Sequence, residues 1–316
     1  MTQKIVTGNQ VTSLSKLNIK FIKSIYPNRN QNFSKKDFGS VLLIGGSQKY
    51  IGAILISALA AIRSGCGLVY VAAPSPVCKQ ISGLVPEVIF IDLPVKANNQ
   101  VDFLKSKTIL FEAINLADSF AIGPGMNQSD ESIRMLEEFL KIMHDNKIHS
   151  PIVIDADGIN NLSNIDNWEK KYQNPKILTP HIGEMSKISK INMKKIQTDK
   201  KRFAIEYAKK WNINIVLKGP RTVIAGPNKL LQVSSFINSA MAKGGTGDML
   251  TGLISGLIAS DKLHMLSKNN FFNKSCLGVY IQGFAANIAK EELGETAVKS
   301  LDIIERLGLF HKKYFQ

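Results

Sequence analysis

Arginine is scarce. Only six occur (Arg29, Arg63, Arg134, Arg202, Arg221 and Arg306) among 40 Lys+Arg, set against 25 Asp+Glu for a net charge of +15. The basic excess is therefore lysine, whereas forked reading of base edges calls for arginine, so a sequence-specific nucleic-acid reader is disfavoured. A lysine-rich solvated surface is the plain reading, and the same charge attracts anionic small molecules. Cysteine is equally sparse: Cys66, Cys78 and Cys276 are odd in number and lack metal spacing. That pattern excludes a disulfide framework and suits a reducing cytoplasm. With no CxxC and no HExxH, a structural zinc is not expected. No run approaches the roughly 20 apolar residues of a membrane span. The opening MTQKIVTGNQVTSLSKLN lacks the apolar heart of a signal peptide.

What is present is an ordinary globular balance. The 316 residues are 44% apolar and 21% charged, with a mean hydropathy of -0.01. Residues 1–38 read as a polar N-terminal extension, with a short helix around Val11–Ile25 and a loose connection after Pro27. From residue 39 to 316 the chain reads as one large α/β domain. SVLLIGG, LVYVAAP, VIFIDL, TILFEA, FAIG and IVIDAD are strand-like. They alternate with helical patterns at 51–62, Glu131–His144 and Asp199–Lys210, and helices over 247–259 and 275–292 close the chain. Such alternation implies a central, mostly parallel sheet flanked by helices. Polar clusters follow several of the strands: GGSQKY, GPGMN, DADGIN and TPHIGE. Ligands of parallel sheets bind at such strand ends.

Four constellations carry chemistry. GGTGDMLTG, residues 244–252, places Gly244, Gly245, Thr246 and Gly247 before an apolar helix. A glycine turn opening a helix gathers unpaired N–H donors at the positive end of the dipole, a cradle for phosphate. Asp248 fits either an N-terminal cap or a general base that takes the proton of an attacking hydroxyl during phosphoryl transfer. The GK[ST] ending of a P-loop is missing. LKGPRTVIAGP, residues 217–227, supplies Lys218, Gly219, Pro220, Arg221 and Thr222 on a strand–turn–strand, which either covers nucleotide phosphates or is a solvated hairpin. Asp155 and Asp157 of IVIDADGIN either ligate Mg²⁺ or cap the next helix. TPHIGEM places His181 and Glu184 in a loop, where the imidazole either donates to a ligand or steadies the loop. Ser47, Gly52 and Ala53 in GGSQKYIGA, and Gly125 in GPGMN, open two more small-residue entrances. Together these suggest a large phosphorylated ligand.

These stretches together resemble the NAD(P)H-hydrate dehydratases, ribokinase-like repair enzymes, over roughly 39–256 and on toward 306. The resemblance implies an α/β ribokinase-like fold and ADP- or ATP-dependent dehydration of the S-form of NADH or NADPH hydrate. Phosphate and AMP or ADP are the accompanying products, and bacterial members favour ADP. It also implies Mg²⁺ with ligands not fixed by the sequence, a homo-oligomer of tetramer type, and a separate hydrate epimerase, since 38 residues are too few for a fused one. Carried over by motif, Ala53, Gly125, His181 and Asp248 look like hydrate-binding positions. Lys218, Gly219, Pro220, Arg221, Thr222 and Gly247 look like the nucleotide set, with Gly244–Gly247 as the anion hole and Asp248 as the base. Two departures stand out: SKKDFG at 34–39 replaces the family's His-Lys-Gly, and Lys243 stands where a small or hydroxyl residue is usual. The rival readings are a ribokinase-like kinase of a small molecule or vitamin precursor, which would use the same aspartate, and a non-catalytic nucleotide-binding role.

Overall fold

Short runs rich in Val, Ile and Leu supply the strands. They are β1 (Ser15–Lys16), β2 (Ser40–Ile44), β3 (Leu68–Pro74), β4 (Val88–Leu93), β5 (Ser119–Ile122), β6 (Ile152–Ile154), β7 (Lys176–Leu178), β8 (Asn214–Leu217), β9 (Val223–Ala225) and β10 (Leu231–Val233). In the computed structural model, which describes residues 15–27, 32–172, 176–264 and 269–316, they form one sheet ordered β1-β10-β9-β8-β7-β6-β5-β2-β3-β4. Strands β2 to β8 run parallel, and β9 turns back against β8 as the expected strand–turn–strand.

Period-two side chains divide two cores. Val41, Leu43 and Ala121 face one helical layer, while Leu42, Ile44, Phe120 and Ile122 face the other, all essentially without solvent. Burying each Leu or Ile contributes about 1.5–3 kcal/mol, so both layers are bound firmly to the sheet. The first layer includes the helices Ile51–Ile62, Thr246–Ala259 and Asn270–Leu293. The second includes Phe103–Ile114, Asp130–Asp145 and Lys200–Trp211.

Three expectations change. TILFEA lies inside the helix Phe103–Ile114, capped by Asp102 accepting from Lys105 N–H at 3.3 Å. Ser106, Leu110, Ala113 and Ile114 are its buried residues; their three- and four-residue spacing is helical, and tertiary burial overrides a β-like composition. The helix expected around Val11–Ile25 is observed as Ile19–Ile25, and residues 11–14 lie outside the described residues. Ser15–Lys16 instead pairs with β10, and Leu17 and Ile22 are fully buried, so this part of the N-terminal segment adds to the sheet and core. The lysine- and asparagine-rich connection near 265–268 is also outside the described residues. No helix among the described residues is long and apolar enough to cross a membrane.

Candidate active site

The loops after β2, β5, β6, β7 and β8 leave the same edge of the sheet, because those strands are parallel. Over that edge stands the N-terminus of the helix Thr246–Ala259. Gly245 is its cap residue in the left-handed region at φ 88°, where a Cβ would lie 2.6 Å from both Ile56 Cδ1 and Ser300 Oγ. Met249 N–H is the first to reach back to a carbonyl, Gly245 O at 2.9 Å. The amides of Thr246, Gly247 and Asp248 precede it, as the geometry of any helix start requires. Asp248 is thus the third helical residue, and no side chain caps this helix. That removes the capping reading and leaves its carboxyl beside the donor-rich turn.

The turn is held in place from three sides. Ser300 Oγ donates to Gly244 O at 2.6 Å, Gln282 Nε2 to Thr246 O at 2.7 Å, and Ser57 Oγ to Asp248 O at 2.9 Å. Ser57 also donates to Ala53 O at 3.1 Å, which ties the first turn of the helix Ile51–Ile62 to the Asp248 backbone. The helices approach closely because Gly252 has no Cβ; one would lie 1.9 Å from Ser57 O. Across the edge, a Cβ on Gly125 (φ 64°) would meet Tyr50 O at 2.5 Å and Ala53 Cβ at 3.0 Å, so Ala53 and Gly125 are neighbours.

Lys218 enters from the end of β8. Its Nζ lies 2.6 Å from Asp155 Oδ1 and 3.8 Å from Glu184 Oε2, and 3.1 Å from where a Gly247 Cβ would stand. Burial opposes its charge, but Asp155 and Glu184 outweigh that and raise its pKa. Asp155 is fully buried, which alone would raise its pKa; Lys218 and Thr251 reverse the effect and hold it below the ordinary range. Asp157 goes elsewhere, accepting from Asn127 N–H at 2.9 Å and Gln128 Nε2 at 3.0 Å. Between them Ala156 sits at φ 50°, ψ -121°, a conformation costing about 1–3 kcal/mol for a non-glycine residue, and this sharp turn separates the two carboxylates.

His181 caps the helix Ile182–Ser189. Its Nδ1 accepts from Gly183 N–H at 2.9 Å and Glu184 N–H at 3.2 Å, while Glu184 Oε2 accepts from His181 N–H at 2.7 Å. A ring nitrogen accepting two amides carries no proton, so the hydrogen is on Nε2, which lies 3.3 Å from Glu184 Oε1. Burial and Lys218 lower the imidazole pKa and favour this neutral form. Two carboxyl groups are displaced upward. Burial, with Asp155 and Asp157 adding to it against Lys218, brings Asp248 to about 6. Burial, together with Asp155 and against Lys218, brings Glu184 to about 7.

A cavity of about 360 Å³ opens beside these groups and is lined by Lys218, Gly219, Pro220, Thr222, Thr246 and Gly247, with Ile237, Met241 and Leu250 as its apolar wall. Most of the expected nucleotide set therefore shares one cavity. Arg221 does not: it lines a neighbouring hollow with Lys200 and Lys201. Lys243 donates to Thr296 O. Glu184, Thr251, Gln282 and the Ile237 wall were not singled out as partners of this site by sequence reasoning. Glu184 and Thr251 lie within motifs already noted, whereas Gln282 and Ile237 carry no local signal. No group of three or more His, Cys, Asp or Glu side chains gathers into a metal site among the described residues.

Comparison with known proteins gives the family. The family model described as NAD(P)H-hydrate dehydratase matches residues 41–308. The bifunctional NAD(P)H-hydrate repair enzyme Nnr of Moorella thermoacetica is 32% identical over 285 residues, 90% of this chain and 51% of that protein. The chain thus spans about half the length of such curated relatives. The ADP-dependent (S)-NAD(P)H-hydrate dehydratase of Bacillus subtilis is 29% identical, with 86% of this chain and 88% of that protein covered. A crystal structure of the Bacillus subtilis ADP/ATP-dependent NAD(P)H-hydrate dehydratase, co-crystallised with ATP/Mg²⁺, superposes with a TM-score of 0.78 at 25% identity, covering 95% of this chain and 98% of that one. By sequence and fold, the chain belongs to the ribokinase-like NAD(P)H-hydrate dehydratase family.

Proposed function

We propose that this protein dehydrates the S-form of NADH or NADPH hydrate with ADP or ATP as phosphoryl donor, releasing phosphate and AMP or ADP. The observation that carries the reading is the placement of Asp248 in the first turn of the helix opened by Gly245, with the Lys218 ammonium beside Gly247. Family membership and the names of the relatives support it.

Asp248 takes the proton of the hydrate's hydroxyl as that oxygen attacks the terminal phosphorus; a P–O bond forms and the bond to the leaving nucleotide breaks. Its pKa of about 6 leaves it ionised at neutral pH yet close enough to pH 7 to accept a proton efficiently. The amides of the 244–247 turn stabilise negative charge on the transferring oxygens, and Lys218 adds a fixed positive charge. The phosphorylated carbon then loses phosphate with electron release from the ring nitrogen, and loss of the adjacent ring proton restores the dihydropyridine. Lys218, Gly219, Pro220, Thr222 and Gly247 hold the nucleotide, with Arg221 contributing from the neighbouring hollow. Ala53, Gly125 and His181 contact the hydrate, His181 through Nε2–H as a donor rather than as a base.

Mg²⁺ fits this site in one manner. Both Asp155 oxygens are engaged by Lys218 and Thr251, so no protein-only cage is available there. Mg²⁺ commonly binds through substrate phosphates and water, so an ion at this site would be held by the nucleotide phosphates and water. Bound there, the ion would supply charge neutralisation on the phosphates. The cytoplasm, a homo-oligomer of tetramer type and an epimerase activity feeding the S-form complete the proposal; the three free thiols fit a reducing compartment.

The test incubates purified protein with chemically hydrated NADH and, in parallel, ADP or ATP. Equimolar release of inorganic phosphate and NADH is the expected result. A stable phosphorylated product without NADH would favour a small-molecule kinase instead.

A further inference from the structure

Lys218 and the glycine turn come from distant parts of the chain, yet one buried carboxylate links them. Asp155 Oδ1 accepts from Lys218 Nζ at 2.6 Å, across 63 residues of sequence. Asp155 Oδ2 accepts from Thr251 Oγ1 at 2.6 Å, across 96 residues. Thr251 lies one turn beyond Gly247 and also donates to Gly247 O at 3.2 Å. The ammonium therefore has its place set relative to the helix mouth through Asp155, with Glu184 at 3.8 Å on its other side. The backbone turn at Ala156 aims Asp155 inward while Asp157 turns outward to Asn127 and Gln128.

Such a three-way link is more than core filling. A hydrophobic core of equal volume would be no less stable, since buried ion pairs recover little more than their desolvation cost. What this arrangement supplies is a cation held at a set distance from a row of amides, and misplacement by about 1 Å can cost about 100-fold in rate. We infer that Asp155, braced by Thr251, is a positioning residue for phosphoryl transfer, acting through Lys218 to hold one positive charge at the mouth of the helix Thr246–Ala259. The inference rests on the phosphoryl-transfer reading above and adds residues to it.

The experiment is a double-mutant cycle of Asp155→Asn and Lys218→Ala on the full chain, read as kcat and KM for nucleotide and hydrate. Asparagine keeps the size but removes the charge and turns one of the two accepting edges into a donor, so its Oδ1 can still accept from Lys218 while its amide N–H faces Thr251 Oγ1. Asp155→Asn should lower kcat by about 10- to 100-fold with a smaller change in either KM. In a Lys218→Ala background the same change should cost less than about threefold, because the residue it acts through is already gone. A loss that falls on kcat rather than KM and that vanishes once Lys218 is gone is one that a merely structural role would not produce. Thr251→Val, which leaves all the charges in place, should show a smaller loss of kcat and keeps the question open to test if Asp155→Asn fails to fold. Multiplicative losses in the cycle, a loss that falls on KM rather than kcat, or an unimpaired Thr251→Val would each overturn the positioning role. An inactive, folded wild-type protein would instead refute the phosphoryl-transfer reading itself.

Discussion

At the scale of single residues, Asp248 has the most direct consequence. Asp248→Asn should lower turnover by about 10³-fold while nucleotide binding is largely kept, because a general base contributes roughly 10²–10⁴-fold; stopped-flow turnover and calorimetric titration check the two halves. The wild-type kcat/KM should rise with pH through about 6, the value to which burial and Asp155 bring this carboxyl. His181 separates two effects. His181→Asn supplies another good helix cap, so the melting temperature should hold while KM for the hydrate rises about tenfold through loss of one hydrogen bond. Asp248 and His181 were legible because each stands in a short motif at the start of a helix. Which ring nitrogen of His181 carries the proton was not, since that depends on where the amides of Gly183 and Glu184 point.

At the scale of elements, the helix Thr246–Ala259 joins catalysis to packing, and its glycines divide the two. A Cβ at Gly252 would lie 1.9 Å from the Ser57 backbone oxygen, which cannot yield. Gly252→Ala should therefore destabilise the protein by about 1–3 kcal/mol, measured by urea unfolding, as overpacking does. At Gly247 the added Cβ is crowded by the Lys218 ammonium at 3.1 Å, the far end of a long side chain, while Asp155 Oδ2 at 3.8 Å is an ordinary contact. Gly247→Ala should unfold at nearly the wild-type urea concentration and yet lose turnover as Lys218 is pushed aside. The strands were readable from β-branched runs followed by polar turns. TILFEA misled because a short apolar run does not reveal its period; the flanking Asp102 cap and the buried Ser106, Leu110 and Ala113 decide for a helix. The brief strands β1 and β10 have too few residues to show any pattern.

At the scale of the whole molecule, the active site lowers stability near neutral pH. Asp248 and Glu184 have folded pKa values of about 6 and about 7, above ordinary values of 3.8 and 4.5. A raised pKa means that the folded state binds the proton more tightly, so this stability is present at acid pH and lost as pH rises through those folded values. Thermal midpoints should fall between pH 5 and pH 8 by more in the wild type than in Glu184→Gln, which cannot ionise there. An identical fall in both would show that Glu184 is not held in its proton-binding form. The convergence of distant loops on one sheet edge was legible, since parallel strands present all their carboxyl ends together. The Asp155–Lys218–Thr251 link was not, because no spacing along the chain encodes a contact made across the sheet.

The most direct measurement follows the near-ultraviolet absorbance of chemically hydrated NADH mixed with the wild-type protein or with Asp248→Asn, in the presence of Mg²⁺ and either nucleotide. The wild type should restore the dihydropyridine absorbance, and the folded, nucleotide-binding variant should not. Restoration at equal rates by both proteins, or by neither, would contradict the assignment of an aspartate at a glycine-lined helix mouth as the base that starts the reaction.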